Sequence, residues 1–249
     1  MNNSYYLFVF IASFVLFIGC KNLDENETSA KKKDLLIIEK KEPKAKISVI
    51  ESQNKISDFI PNGYKVFEEI YGDLNKDGVD DCIIIVKATD KENFIADEYR
   101  GELDRNRRGI IVLFKERDHY NLVVKNYNCF SSENEEGGVY YAPELSVNIE
   151  KNKLYIHYSH GRYGYWSYTF RLKKSDFELI GYDSSSNSGP KINSEISINF
   201  LTKRKLTKTN VNESAEGGDE VFEETSVEMY IKELTKLSKI KDFDELEME

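Results

Sequence analysis

The run Asp73-Leu74-Asn75-Lys76-Asp77-Gly78-Val79-Asp80-Asp81 has residue types and spacing that could do ion chemistry. A hard cation takes several oxygen ligands at once, and a loop can supply them from alternate side chains and one backbone carbonyl. Here those donors are Asp73, Asn75, Asp77 and Asp81, with the carbonyl of Val79. Gly78 falls where the chain must turn sharply. Calcium suits this donor set, in a structural role. The place of the bidentate Glu in a helix-flanked calcium loop is taken by Ile84, so the affinity expected is the weak end of extracellular sites, about 10⁻⁴ to 10⁻³ M. Asp, Asn and Gly also favour turns that need no ion, and an ion-free hairpin is the competing reading.

A second cluster is aromatic. Tyr155, His157, Arg162, Tyr163 and Tyr165 gather around the tight connection Gly161-Arg162-Tyr163-Gly164 and form a candidate ligand-binding face. Rings with a few polar groups on a wet surface suit a sugar or a protein partner. An ordinary cross-strand aromatic ladder is the simpler account of them. His157 and His160 fall on opposite strand faces and His119 sits in a turn, so a zinc site is not expected.

For catalysis the chain offers no Gly-x-Ser-x-Gly, no His-Glu-x-x-His and no Gly-rich phosphate loop. Glu133, Glu135 and Glu136, and Glu216, Asp219 and Glu220, could hide a carboxylate pair for sugar hydrolysis. Both groups lie in polar loops and read as solvated. Arg105, Arg107 and Arg108 read as surface pairs.

The elements that must position these residues are mostly strands. Tyr64–Tyr71, Cys82–Lys87, and a hairpin of Gly109–Lys115 with Tyr120–Asn126 come first. Leu145, Val147 and Ile149 alternate with polar residues, and Glu150-Lys151-Asn152-Lys153 makes the next turn. Leu154, Ile156 and Tyr158 then face one way. Trp166, Tyr168, Phe170 and Leu172 do the same, as do Ile196, Ile198 and Phe200, and then Val227, Met229 and Ile231. Side chains alternate across a strand, so each strand is expected to have one core face and one wet face. If residues 153–160 and 165–172 pair, matching core faces requires an even register sum, which sets Tyr155, His157 and Ser159 on the wet face beside Thr169 and Arg171. A short helix is expected near Ser52–Phe59, before Pro61-Asn62-Gly63, and another over Leu237, Ile240, Phe243 and Leu246. The fold class is mainly β: antiparallel sheets in one domain with short terminal helices.

The address is written at the start of the chain. The apolar run Leu7–Ile18 is shorter than the about 20 residues a membrane span needs. It leads to Gly19, Cys20 and the polar stretch Lys21–Glu27. This is the layout of a bacterial lipoprotein signal, with lipid on Cys20. The start carries no Lys or Arg, and Phe17 stands where Leu is usual. Residues 1–19 are read as signal peptide, 20–45 as a flexible charged tether and 46–249 as one domain holding the calcium hairpin at 73–81. Attached acyl chains, palmitate among them, give stable membrane anchoring. The expected location is the cell envelope, on the outer membrane, periplasmic or surface-exposed. The Lys21–Glu27 stretch resembles export signals that send some lipoproteins to the outer surface. A net charge of −9 argues against nucleic acid. Cys82 and Cys129 remain after lipidation. The compartment permits a disulfide between them, two buried free thiols explain them as well, and spacing does not choose.

The loop resembles the strand-loop-strand calcium hairpins of integrin-type FG-GAP repeats. Together with Arg107–Lys115, Tyr165–Arg171, Phe177–Tyr182 and Ser197–Thr202, it is similar to a family of uncharacterised secreted or lipid-anchored bacterial proteins. That resemblance would cover most of residues 56–246. It implies one domain and the calcium loop, and brings no activity. The function expected is a lipid-anchored, calcium-stabilised binding domain with a protein or glycan partner. The alternatives are a surface or periplasmic hydrolase, or an inhibitor or immunity protein against a secreted hydrolase.

Overall fold

Two antiparallel sheets face each other across a shared core. The computed structural model describes residues 51–137 and 140–248. The signal, Cys20 and the tether lie outside the described residues. In chain order the strands are β1 (Ser52–Gln53), β2 (Tyr64–Gly72), β3 (Asp81–Ala88), β4 (Phe94–Asp97), β5 (Gly101–Asp104), β6 (Arg108–Glu116), β7 (His119–Phe130), β8 (Glu136–Gly137) and β9 (Tyr140–Tyr141). They continue with β10 (Glu144–Glu150), β11 (Lys153–Ser159), β12 (Gly164–Lys173), β13 (Asp176–Ser188), β14 (Lys191–Asn199), β15 (Arg204–Asn210) and β16 (Phe222–Glu228). One sheet has the order β1-β7-β6-β3-β2, and the other is a seven-stranded meander from β10 to β16.

Alternation explains the shared core. Ile83, Ile85, Ile110, Val112 and Val124 project from the five-stranded sheet onto Leu154, Ile156, Tyr158, Tyr168 and Phe170 of the meander. The Glu150–Lys153 turn closes β10 on β11 with Lys151 and Asn152 both at positive φ (50° and 57°), as a two-residue hairpin of the primed type requires.

Strands β3 and β6 depart from the one-face expectation. Cys82, Ile84, Val86, Ile111 and Leu113 form a second buried cluster on the far face, closed by Phe59 and flanked by Ile56, Ile60, Tyr64 and Tyr120. A continuous apolar run such as Cys82–Val86 is what a strand covered on both faces requires.

The helices are short. Ile56–Phe59 and Leu237–Lys239 are single 3-10 turns. Beyond the second turn, Ile240 and Phe243 stay in the core without continuing a helix. Their backbone is held from outside instead. Asn126 Nδ2 donates to the carbonyls of Leu237 (3.0 Å) and Ile240 (2.6 Å), and the Phe243 N–H donates to the Cys129 carbonyl (3.0 Å). A side chain that accepts the duty of the next helical turn removes the reason to form it. The last strand is also shifted. β16 ends at Glu228, its Val227 is half exposed, and Met229 is buried past its end.

Cys82 and Cys129 are free and buried, in different core clusters. Burial pushes both thiols up to about 12, with Glu69 adding to the effect at Cys82. Among the described residues no helix is long and apolar enough to cross a membrane.

Candidate functional site

The Asp73–Asp81 segment joins β2 to β3, whose pairing ends at Gly72↔Asp81. Strands flank the loop, as expected. Leu74 is sunk into the core and pins one side, and the Asn152 side-chain amide holds the other by donating to the Asp73 carbonyl (2.7 Å). Between these anchors the chain winds on its own side chains. Asp73 accepts from the N–H groups of Lys76 (2.6 Å) and Gly78 (3.1 Å). Asn75 accepts from Asp77 N–H (2.9 Å), and Asp77 accepts from Val79 N–H (2.8 Å). Gly78 sits at φ +83°, a region that side-chain-bearing residues rarely adopt.

Asp81 differs from the other three donors. It is fully buried, accepts from the N–H groups of Leu74 (2.9 Å) and Lys115 (3.1 Å), and has no cationic side chain paired to it among the described residues. Burial, with a contribution from nearby Asp77, raises its carboxyl above the ordinary carboxylate range, against the pull of its backbone donors. The donors fit a hard cation in kind: all are oxygens, and each carboxylate oxygen that accepts one N–H keeps further accepting capacity. Among the described residues, no three His, Cys, Asp or Glu side chains already converge in a metal-holding cluster. The loop is therefore wound on its own backbone, with the acidic groups close but not gathered.

The aromatic face divides. The register between β11 and β12 is the even one: Tyr155↔Thr169, His157↔Ser167 and Ser159↔Tyr165. Tyr155, His157 and Tyr165 thus share the outer face of the meander, with His157 and Tyr165 stacked at 5.4 Å. Tyr165 also borders a depression of about 170 Å³ with Asp183, Glu195 and Lys208. Arg162 and Tyr163 are elsewhere. They belong to the 3-10 turn Gly161–Tyr163 and line a separate hollow of about 250 Å³ with Tyr141, Glu144 and His160.

Two loop readings are corrected. Glu133 is not simply solvated, and Arg108 is not on the surface. Lys87, 1 % exposed, donates to the Asp104 carbonyl (3.1 Å) and pairs with the carboxylates of Asp104 (3.2 Å) and Glu133 (2.5 Å). Arg108 lies opposite Lys87 in the β3–β6 ladder. Its Nε donates to the Ser131 carbonyl (2.8 Å), it faces Glu133 at 3.9 Å, and its guanidinium lies 5.2 Å from the Phe67 ring centre. Asn106, also fully buried, ties this corner to Asp90 and Asp104. A signal was present: Lys87 shares the parity of Ile83 and Ile85, and Arg108 that of Ile110 and Val112, so alternation sends both charges inward. Arg105 and Glu136 do form a surface pair (3.2 Å), and Arg107 pairs with Asp242 (2.7 Å).

No family model matches this chain, and no curated protein or solved structure is significantly similar to it.

Proposed function

We propose that this is a lipid-anchored cell-envelope protein, held at the outer membrane through Cys20, whose β-rich domain is braced by calcium and acts by binding rather than by turnover. The observation that supports calcium is Asp81: a buried carboxylate with no cationic side chain paired to it among the described residues, at the foot of a loop lined with Asp73, Asn75 and Asp77. Those side chains and the Val79 carbonyl would hold the ion. When bound, it would supply the positive charge that Asp81 lacks and lock β2 to β3. The binding reading is supported by the outer aromatic face of Tyr155, His157 and Tyr165, which suits a glycan or protein. The hydrolase reading is weakened because Glu133 is tied to Lys87 and Arg108.

The test is calcium titration of the purified chain in mild detergent, by calorimetry with parallel melting curves. One site with a dissociation constant of about 10⁻⁴ to 10⁻³ M is expected. In millimolar calcium it should raise the melting temperature by roughly 2–8 °C, a gain that vanishes in chelator. Asp73→Ala combined with Asp77→Ala should remove that gain, while its melting in chelator falls modestly because the loop loses the hydrogen bonds these two side chains accept. Equal melting of variant and wild type in calcium would defeat the reading.

A further inference from the structure

A cleft of about 410 Å³ opens beside the core face of the meander, where the C-terminal segment crosses it. Its walls are Tyr158, Trp166, Tyr168 and Tyr182 of β11, β12 and β13, with Phe243 and Leu246 from the C-terminal segment. The rings support one another. Tyr158 and Trp166 stack at 5.2 Å, Tyr168 packs on Tyr182 at 5.3 Å, and Phe243 meets Tyr168 edge-on at 5.0 Å. Cross-strand pairing fixes this wall, since Tyr158 lies opposite Trp166 and Tyr168 opposite Tyr182. The volume falls within the range of small-molecule sites, about 300–1,000 Å³.

Two polar features mark the cleft as more than a packing gap. The Tyr158 hydroxyl is buried, with the residue 1 % exposed, and has no hydrogen-bond partner among the described residues. A buried hydroxyl without a partner carries a cost that a ligand group can relieve. The neighbouring Tyr168 hydroxyl is by contrast satisfied, donating to the Phe243 carbonyl (3.2 Å). The charged side chains of the lining are all acidic: Glu135, Glu136 and Asp244. Arg105 takes up Glu136, and Arg108 faces Glu133. Glu135 accepts from the Ser132 hydroxyl (2.9 Å), and among the described residues neither it nor Asp244 is in an ion pair within 4 Å, although the buried Arg108 guanidinium acts on Asp244 from farther off. Burial, with the Asp244 charge next in order and the Arg108 guanidinium pulling the other way, raises the Tyr158 phenol, which stays neutral and able to accept a hydrogen bond.

We infer that this cleft binds an organic cation, an alkylammonium or guanidinium group, whose charge meets Glu135 and Asp244 and whose N–H donates to the Tyr158 hydroxyl oxygen. The aromatic wall favours such a group further, because a cation near a ring face is attracted by the ring quadrupole. A neutral ligand of the same shape would leave the Glu135 carboxylate unanswered and Asp244 balanced only from a distance by Arg108, and an anion would be repelled by both carboxylates. Two sources carry this chemistry, a free amine and a Lys or Arg side chain of a peptide. The cleft is distinct from the Asp73–Asp81 loop and from the Tyr155–His157–Tyr165 face, so its failure would leave the preceding proposal standing.

Trp166 is the single tryptophan of the chain and lines the cleft, so its fluorescence reports occupancy directly. The full chain in mild detergent is titrated with agmatine and putrescine, with the tripeptides Gly-Lys-Gly and Gly-Arg-Gly, and with the neutral analogues butylurea and butanol. A saturable Trp166 response to at least one cationic probe is expected, with none to the neutral ones. A tighter response to amines would identify a small-molecule site, and one to the tripeptides a peptide site. Glu135→Gln with Asp244→Asn should weaken binding about tenfold or more, as expected for losing charge-assisted contacts. Tyr158→Phe should weaken it several-fold yet leave the melting temperature equal or higher, because the hydroxyl it removes has no partner to lose. No saturable response up to 10-fold above a millimolar probe concentration, or an equal response to the neutral analogues, would overturn the inference. So would undiminished binding in the Glu135→Gln, Asp244→Asn variant.

Discussion

The five-stranded sheet and the meander solve opposite problems. In the first, β3 and β6 are covered on both faces and hold a buried cation at one end, Lys87, paired with the partly exposed Asp104 and Glu133. In the second, the core face is closed over β11 to β13, while the outer face and the late strands are open; along β16 every residue after Phe222 is exposed. The difference teaches where stability and where recognition reside. A strand enclosed on both faces has little freedom to present side chains to a partner. A strand supported on one face only can carry Tyr155, His157 and Tyr165 outward without losing its place.

The largest expected difference lies in charge. Lys87→Ala removes a cation that is buried and triply engaged, and should lower unfolding free energy by about 3–5 kcal/mol, the range for breaking a buried pair. Lys208→Ala on the meander, partly exposed and 3.6 to 3.8 Å from Glu224 and Glu195, should cost about 0–1 kcal/mol. Urea denaturation of both variants measures the contrast, and equal losses would erase it. Packing comes next. Ile110→Ala should cost about 2–5 kcal/mol. Val227→Ala, 53 % exposed on β16, should stay within about 0.5 kcal/mol.

A smaller effect is expected with acid. Burial alone would raise the Asp104 carboxyl, but donors from Asn106 and the Lys87 ammonium outweigh it and hold the group below the ordinary range. Its folded-state value is below its unfolded one. The stability it contributes is therefore present above about pH 4 and is lost as pH falls through the folded value. Asp104→Asn should flatten the acid limb of a plot of urea midpoint against pH; an unchanged limb would place the acid sensitivity elsewhere. The least effect is expected from thiol reagents. With both thiols raised to about 12 and buried, Cys82 and Cys129 should remain unlabelled in the native state and react only on unfolding. Fast native labelling of Cys82 would show that the cover supplied by Phe59 opens.

Much of this was legible in residue spacing. The alternation of Leu154, Ile156 and Tyr158 against Trp166, Tyr168 and Phe170 specified both the antiparallel pairing and its even register, because a one-residue slip would have sent each apolar set into water. The Asx residues and Gly78 marked the loop between β2 and β3. Nearness in sequence does not make a shared surface: Gly164, at φ +112°, turns the chain between Tyr165 and the Gly161–Tyr163 turn that carries Arg162 and Tyr163. Spacing alone makes Glu133 a solvated loop residue and Arg108 a member of a surface pair, because their partners, Lys87 and Ser131, stand 46 and 23 residues away.

The sequence by itself determined the strands, the face each side chain takes on its own strand, and the turn chemistry between neighbours. These follow from the two-residue period of the extended chain and from the φ preferences of Gly, Asn and Asp. Only the tertiary structure decided which faces are covered. The Ile56–Phe59 turn closes the back of β3 and β6, and the segment from Leu237 to Leu246 crosses the meander and leaves the acidic aromatic cleft beside Tyr158. A strand's period says which way a side chain points, but what it meets there is supplied by residues remote along the chain.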